Sequence, residues 1–289
     1  MKASPYEAMA FRSDARRLAV SAPNGELIVW DTTDPVAPAR AGRLRQGRGI
    51  VAAAWNPATA DILATTSSDG TAAVWWLPEN GRQSSRVAHW MALPARPRHV
   101  GWVGGGRWVF SMAGRGLTSV WDVNTGARVG QADVTGGRLV VAAHHLGEEV
   151  VAVTDSGWAR IWHPRRAPGE WIQVSAGPVS ACAWSGTLLA VGGTDGRVAC
   201  VNAAFEHVCD FRIGPRRPGA LAFSDEGRLV ASSADGTAIA VDLDGSVQWQ
   251  AWLAADAARP IDVAGGLVAV STTRTRPALL ALADGANLN

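Results

Sequence analysis

The chain has few cysteines, one tyrosine and a single lysine, and it has no long apolar run. Its three cysteines, Cys182, Cys200 and Cys209, form no CxxC pair, which disfavours zinc and redox sites and predicts reduced structural thiols. No apolar stretch reaches the roughly eighteen residues that a membrane helix needs. Residues 1–17 lack the apolar core of a signal peptide and turn basic, so we expect a cytoplasmic protein that does not bind membranes.

The chain also has little net charge. Its 27 basic and 25 acidic residues leave +2, which is not the charge excess of a nucleic-acid-binding protein. With 47% hydrophobic residues, the 289-residue chain has enough apolar material for a folded core, and a single closed all-β domain can reach this length. Every basic residue except Lys2 is an arginine. Together with the abundant alanine and glycine, this usage suggests a GC-rich bacterial genome.

An apolar segment recurs seven times and ends each time in tryptophan or an aliphatic residue. These anchors are Trp30, Trp75, Trp121, Trp162, Val201, Val241 and Leu280. Successive anchors lie 45, 46, 41, 39, 40 and 39 residues apart, a spacing typical of repeat proteins. A turn pair precedes six of the anchors: Asn24-Gly25, Asp69-Gly70, Arg115-Gly116, Ser156-Gly157, Asp195-Gly196 and Asp235-Gly236. Such pairs favour tight hairpins with primed turns.

Each repeat contains four short strand-like segments, and no segment shows a convincing helical period. This pattern predicts an all-β fold, a seven-bladed β-propeller of four-stranded antiparallel sheets. The whole chain, residues 1–289, is then one domain. The predicted blade limits are 7–49, 50–97, 98–136, 137–177, 178–217, 218–258 and 259–289.

The repeat resembles the WD-repeat (WD40) family over essentially the whole chain. The motifs that carry the resemblance are Val29-Trp30-Asp31, Val120-Trp121-Asp122 and the block from Ser68-Asp69-Gly70-Thr71 to Trp75. In that family a turn Asp, a Ser or Thr, a loop His and the strand Trp share a buried hydrogen-bond network. The resemblance assigns these structural roles to Asp69, Asp195, Asp235, Trp30, Trp75, Trp121 and Trp162. The Gly-His pair of the family is hardly visible, so the complete network is not expected in any blade.

The other tryptophans and the histidines give little sign of chemistry. Trp55, Trp102 and Trp184 fall on the innermost strands and are expected in the core, whereas Trp252 is among the less regular ones that can be exposed. His144 and His145 are adjacent, so on a strand they point to opposite faces and chelate a metal poorly. No GxSxG, P-loop or HExxH motif is present. We therefore expect no metal, no cofactor and no enzymatic activity.

Propeller topology brings the turns between second and third strands and the blade-to-blade connections to one face. Twelve arginines are assigned to this face: Arg43, Arg45, Arg48, Arg96, Arg98, Arg115, Arg212, Arg216, Arg217, Arg259, Arg274 and Arg276. The acidic residues assigned there are Asp69, Asp133, Asp155, Asp195, Asp235 and Asp256. Because guanidinium groups bind carboxylates through paired hydrogen bonds, we expect an acidic protein segment as partner. The alternative is that these arginines merely solvate the loops.

The main functional interpretation is a protein-interaction scaffold or adaptor in a bacterial multiprotein system. Two other classes stay open. One is a small-ligand-binding or enzymatic propeller with its site at the mouth of the central channel. The other is a nucleic-acid-binding propeller, which the arginines permit but the net charge of +2 does not encourage. The sequence does not indicate an oligomeric state.

The last repeat has room for only a short outer strand. Aligning Leu280 with Val241 places residues 286–289 at the start of that strand. We therefore expect the joint between the first and last blades to be the weakest of the ring.

Overall fold

The computed structural model describes residues 8–22, 24–79, 85–91, 96–233, 235–252, 260–270 and 277–288. Over these ranges the chain forms antiparallel strands and turns, with no helix. In particular, the described ranges contain no helix with the length and apolarity that a membrane crossing requires. The seven sheets form a seven-bladed β-propeller, so the predicted fold class is confirmed.

The strands follow one another along the chain, blade by blade. Blades 1 to 3 contain β1 Met9–Phe11, β2 Arg17–Ser21, β3 Glu26–Asp31, β4 Ala39–Arg45, β5 Ile50–Trp55, β6 Ile62–Ser67, β7 Thr71–Trp76, β8 Ser85–Met91, β9 Pro97–Val103, β10 Trp108–Ala113, β11 Leu117–Asp122 and β12 Arg128–Asp133. Blades 4 and 5 contain β13 Val140–Leu146, β14 Glu149–Thr154, β15 Trp158–Trp162, β16 Trp171–Gln173, β17 Val179–Trp184, β18 Leu188–Gly193, β19 Arg197–Asn202 and β20 His207–Arg212. Blades 6 and 7 contain β21 Pro218–Phe223, β22 Leu229–Ser233, β23 Thr237–Val241, β24 Val247–Trp252, β25 Ile261–Ala264, β26 Leu267–Val270 and β27 Ala278–Ala281.

Each sheet lies within its predicted blade limits, except that β9 begins at Pro97, one residue before the limit. Six sheets have four strands, and the seventh has three among the described residues. The start of a fourth strand runs beside β27, where Leu280 bridges Asn287 and the Leu288 amide donates to the Leu279 carbonyl at 2.8 Å. This matches the short outer strand expected for the last repeat.

The innermost strand of every blade contacts those of its two neighbours. The ring runs through β1, β5, β9, β13, β17, β21 and β25, and β25 returns to β1. Because neighbouring blades cover both faces of each sheet, the inner strands have continuous apolar sequences. β10, with sequence WVFSMA, is buried along its whole length. The outer strand β20, in contrast, consists of exposed and half-buried residues. Each interface between neighbouring blades has its own apolar cluster.

The turns between second and third strands differ from the predicted primed type. In each of the six turn pairs only the glycine has positive φ, for example Gly25 at 80° and Gly70 at 93°. The Gly70 amide donates to the Ser67 carbonyl at 3.0 Å, three residues back. This is a type I turn followed by a left-handed glycine, the usual alternative in a hairpin with one more residue. The glycines were predicted correctly, and the turn type was wrong.

Blade 2 contains a continuous hydrogen-bond network that runs from the buried Trp75 to Asp69 at the turn. The Trp75 indole N–H donates to the Thr65 hydroxyl at 2.8 Å, and that hydroxyl donates to the Gln46 side-chain carbonyl. The Gln46 amide donates to the Thr71 hydroxyl at 2.9 Å, which in turn donates to the Asp69 carboxylate at 2.7 Å. Gln46 therefore occupies the bridging role that the resemblance gave to histidine, and the expectation of no complete network was wrong for this blade.

The joint between the last and first blades is closed by side chains. The Phe11 amide points away from β2 and donates to the Asp262 carboxylate of β25 at 2.6 Å. An apolar cluster that includes Trp30 of blade 1 and Leu279 of blade 7 fills the space behind it. Between blades 1 and 2 the equivalent link is the Trp55 indole, which donates to the Ala10 carbonyl at 3.0 Å. Among the described residues, no strand is shared by blades 1 and 7.

Replacing Gln46 tests the network in blade 2. We expect Gln46→Ala to lower the free energy of unfolding by about 2–3 kcal/mol, because the buried Thr65 hydroxyl loses its acceptor and the Thr71 hydroxyl and carbonyl lose a donor. Gln46→His should recover much of this loss, since imidazole can both donate and accept. The exposed Gln173→Ala serves as control, with a change under about 0.5 kcal/mol in guanidinium unfolding. A loss for Gln46→Ala no larger than the control would contradict the network.

Candidate functional site

The turns between second and third strands and the blade-to-blade connections lie on one side of the ring, here called the turn face. Backbone hydrogen bonds join each turn to the adjacent connection. The Ile50 amide donates to the Gly25 carbonyl at 3.0 Å, and the Val174 amide donates to the Gly157 carbonyl at 2.9 Å. The same pattern links Ile213 to Gly196 at 3.0 Å. The turn face is therefore a rigid rim to which blades 1 to 6 contribute described residues.

All predicted arginines that the structure describes are exposed at this rim or beside it. They are Arg43, Arg45, Arg48, Arg96, Arg98, Arg115, Arg212, Arg216 and Arg217. Arg259, Arg274 and Arg276, and the acidic Asp256, lie outside the described residues. The assignment to a binding site stays a prediction.

Four acidic residues of the turn face accept hydrogen bonds from their own backbone. Asp69, Asp133, Asp195 and Asp235 each accept the amide two residues further on, at 3.0–3.1 Å. Burial acts to raise the pKa of Asp69, but hydrogen bonds from Thr71 outweigh it and hold that pKa below its usual value. These carboxylates are therefore held against their own backbone, which leaves the arginines to present most of the accessible charge.

Some arginines of the turn face have carboxylate partners. Glu26 contacts Arg45 and lies 3.9 Å from Arg43, and Asn24 and Arg45 hold the pKa of its carboxyl below the usual value. Arg216 lies 4.0 Å from Asp235. Within the described ranges no ion pair involves Arg48, Arg96, Arg98, Arg115, Arg212 or Arg217.

Blades 5 and 6 carry a group of charges and an exposed aromatic ring at the turn face. Arg197 and Arg212 lie directly opposite each other on β19 and β20, an arrangement of like charges that destabilises a sheet unless an anion is near. Arg197 is partly neutralised by Asp195 at 3.5 Å. Trp252, 69% exposed, ends β24 opposite Thr237 at the same rim. Aromatic and arginine side chains together are typical of protein-binding surfaces.

Two basic residues of the turn face were missed by the sequence analysis. Arg197 follows the Asp195-Gly196 turn, and Arg138 lies in the connection between blades 3 and 4. The guanidinium of Arg138 stacks 4.3 Å from the ring centre of Trp171. Arg48 and Arg216 were assigned to the turn face by their position in equivalent segments. The same criterion would have selected Arg197 and Arg138.

On the opposite face of the ring, next to blades 1 and 2, carboxylates surround a basic side chain. There the buried Arg12 side chain contacts Asp14 at 2.7 Å, Asp61 at 3.5 Å and Glu79. Three carboxylates thus surround one guanidinium. The contacts with Arg12 keep the pKa of Glu79 below its usual value. At this cluster the carboxylates outnumber the basic group, in contrast to the exposed arginines of the turn face.

The structure places the repeat tryptophans in the core. Trp30, Trp75, Trp121 and Trp162 are buried, and so are Trp55 and Trp102, while Trp184 is half-buried. Of the three turn aspartates, Asp69 and Asp235 also accept a threonine hydroxyl, at 2.7 and 2.6 Å. Asp195 instead contacts Arg197.

The inner strands of blades 3 and 4 hold two histidines without hydrogen-bond partners at Nε2. Burial lowers the pKa of His99 to about 4, helped by the charge of Arg98. Burial likewise lowers the pKa of His144 to about 3, with smaller contributions from His99 and His145. His145 is exposed, in keeping with the opposite orientations expected for the pair. Among the described residues, no three His, Cys, Asp or Glu side chains are grouped to hold a metal.

Comparison with known proteins identifies the fold but not a family. No family model matches the chain. A stretch of 75 residues, 25% of the chain, is 36% identical to Protein transport protein SEC31 of Yarrowia lipolytica (strain CLIB 122 / E 150) and spans 6% of that protein. The crystal structure of the computationally designed Ika8 protein superposes with a TM-score of 0.71 at 18% identity, covering 99% of this chain and 86% of that one. This likeness shows the propeller fold alone.

The buried His99 makes the free energy of unfolding depend on pH. The pKa of His99 lies below its value of 6.5 in the unfolded chain. The contribution of His99 to the free energy of unfolding is therefore complete above pH 6.5 and is lost as the pH falls toward 4. Between about pH 7 and about pH 4.5, the wild type should lose about 2 kcal/mol more unfolding free energy than His99→Gln. Asp262, whose pKa burial raises to about 6, acts in the opposite direction in both proteins and cancels in the comparison. Urea unfolding across this range measures the difference, and parallel curves would contradict it.

Proposed function

We propose that this protein is a non-catalytic WD-repeat scaffold whose turn face binds an acidic segment of a protein partner, in a bacterial cytoplasmic assembly. The propeller fold fits a protein-interaction role in general. The similarity over 75 residues to a protein named for protein transport agrees with such a role. Membership of the WD-repeat family is supported by the Trp75–Thr65–Gln46–Thr71–Asp69 network, in which only the histidine is replaced.

One observation supports an acidic protein segment as the partner. On the turn face four aspartates accept their own backbone amides, while the six arginines without ion pairs are exposed to solvent. Such a surface offers guanidinium donors that no carboxylate of the described chain satisfies. An extended acidic peptide supplies complementary acceptors at several points of the rim.

A labelled hexaglutamate peptide tests this proposal by fluorescence anisotropy. The quadruple variant Arg48→Glu, Arg115→Glu, Arg212→Glu and Arg217→Glu should weaken binding by at least about tenfold, because it reverses four accessible charges. The control carries Arg16→Glu, Arg128→Glu, Arg165→Glu and Arg166→Glu, which change the net charge equally away from the turn face. The control should bind within about twofold of wild type.

Two results would overturn the proposal. If both quadruple variants lose binding equally, net charge rather than the turn face attracts the peptide. If a single-stranded oligonucleotide binds more tightly than the peptide, with affinity that falls steeply with salt, the face belongs to a nucleic-acid-binding propeller instead.

A further inference from the structure

We propose that Cys200 and Cys209 form a dithiol site that small-molecule disulfides oxidise to an intramolecular disulfide. The two residues are direct cross-strand partners on β19 and β20. Directly opposed residues of an antiparallel sheet have Cα atoms about 4.5–5.5 Å apart. Disulfides bridge Cα separations of about 4.4–6.8 Å, so the bond can form without moving the backbone.

Both side chains project from the same face of blade 5. Each belongs to the apolar cluster between blades 5 and 6, which also includes Phe211 and Leu243. The sequence analysis missed this site because it searched for CxxC, whereas here eight residues of a hairpin separate cysteines that the strand register brings together.

The two sulfurs differ in access. Cys200 is fully buried, and burial, the contact with Cys209 and the charge of Asp210 raise its thiol pKa. Cys209 is half-buried on the outer strand and is therefore the sulfur that a small reagent reaches first. Cys182, the third cysteine, packs with the cluster between blades 4 and 5 and is not part of the pair.

The reaction is two thiol–disulfide exchanges with oxidised glutathione as the oxidant. The Cys209 thiolate attacks one glutathione sulfur, which forms a mixed disulfide and releases one reduced glutathione. The Cys200 thiolate then attacks the Cys209 sulfur and releases the second glutathione. Two protein thiols are oxidised, one glutathione disulfide is reduced, and the two thiol protons end on the released glutathiones. The product links the two outermost strands of blade 5, the same hairpin that carries Arg197 and Arg212 at the rim.

The full-length protein, reduced and then exposed to oxidised glutathione under native conditions, tests the site. The number of free thiols should fall from three to one, and peptide mapping should find Cys200 joined to Cys209 with Cys182 free. Cys182→Ser should behave like the wild type, with no thiol left after oxidation. Cys200→Ser should instead accumulate a stable glutathione adduct on Cys209, because the resolving sulfur is missing.

Other outcomes would contradict the proposal of a dithiol site. A persistent glutathione adduct in the wild type would show that Cys200 cannot reach Cys209. Disulfide-linked dimers, or a bond that includes Cys182, would place the reactive pair elsewhere. Three thiols that stay free in the native protein, yet react once it is denatured, would show that oxidants do not enter.

Discussion

The packing of seven innermost strands around a common axis is the constraint on which the rest of this structure depends. Each inner strand contacts those of its two neighbours, and the ring is complete only because β25 meets β1. That last joint relies on the Asp262–Phe11 hydrogen bond and on an apolar cluster contributed by blades 1 and 7. Without closure, the turns of separate blades would not share a rim, and the arginines they carry would not form one surface.

The basic character of the turn face comes from its exposed arginines. An aspartate at a turn is an efficient acceptor for the amide two residues on, so carboxylates on the turn face are held against the main chain. The arginines without ion pairs extend into solvent. A chain with a net charge of +2 can in this way present a basic surface on one side and enclose Arg12 among carboxylates on the other.

The fold could be predicted because its signals are local and repeated. The anchor spacing and the glycine of each turn are visible in the sequence, and burial of Trp30, Trp75, Trp121 and Trp162 follows from their register. Gln46 could not be recognised, since its role depends on a connection that folds back onto strands of the next blade. Asp262 was missed for a similar reason: its partner, Phe11, lies at the other end of the chain. The pairing of Arg43 and Arg45 with Glu26 could not be predicted, because it depends on strand register.

Hydrogen exchange, resolved blade by blade, tests most directly how firmly the joint between blades 7 and 1 holds the ring closed. We expect amides in β1 and β25 to exchange faster than those in β13 and β17, yet to remain protected relative to the unfolded chain. Asp262→Ala should accelerate exchange in β1 and β25 and leave the blades across the ring unchanged. Equal protection of all seven blades, or acceleration spread evenly around the ring, would contradict it.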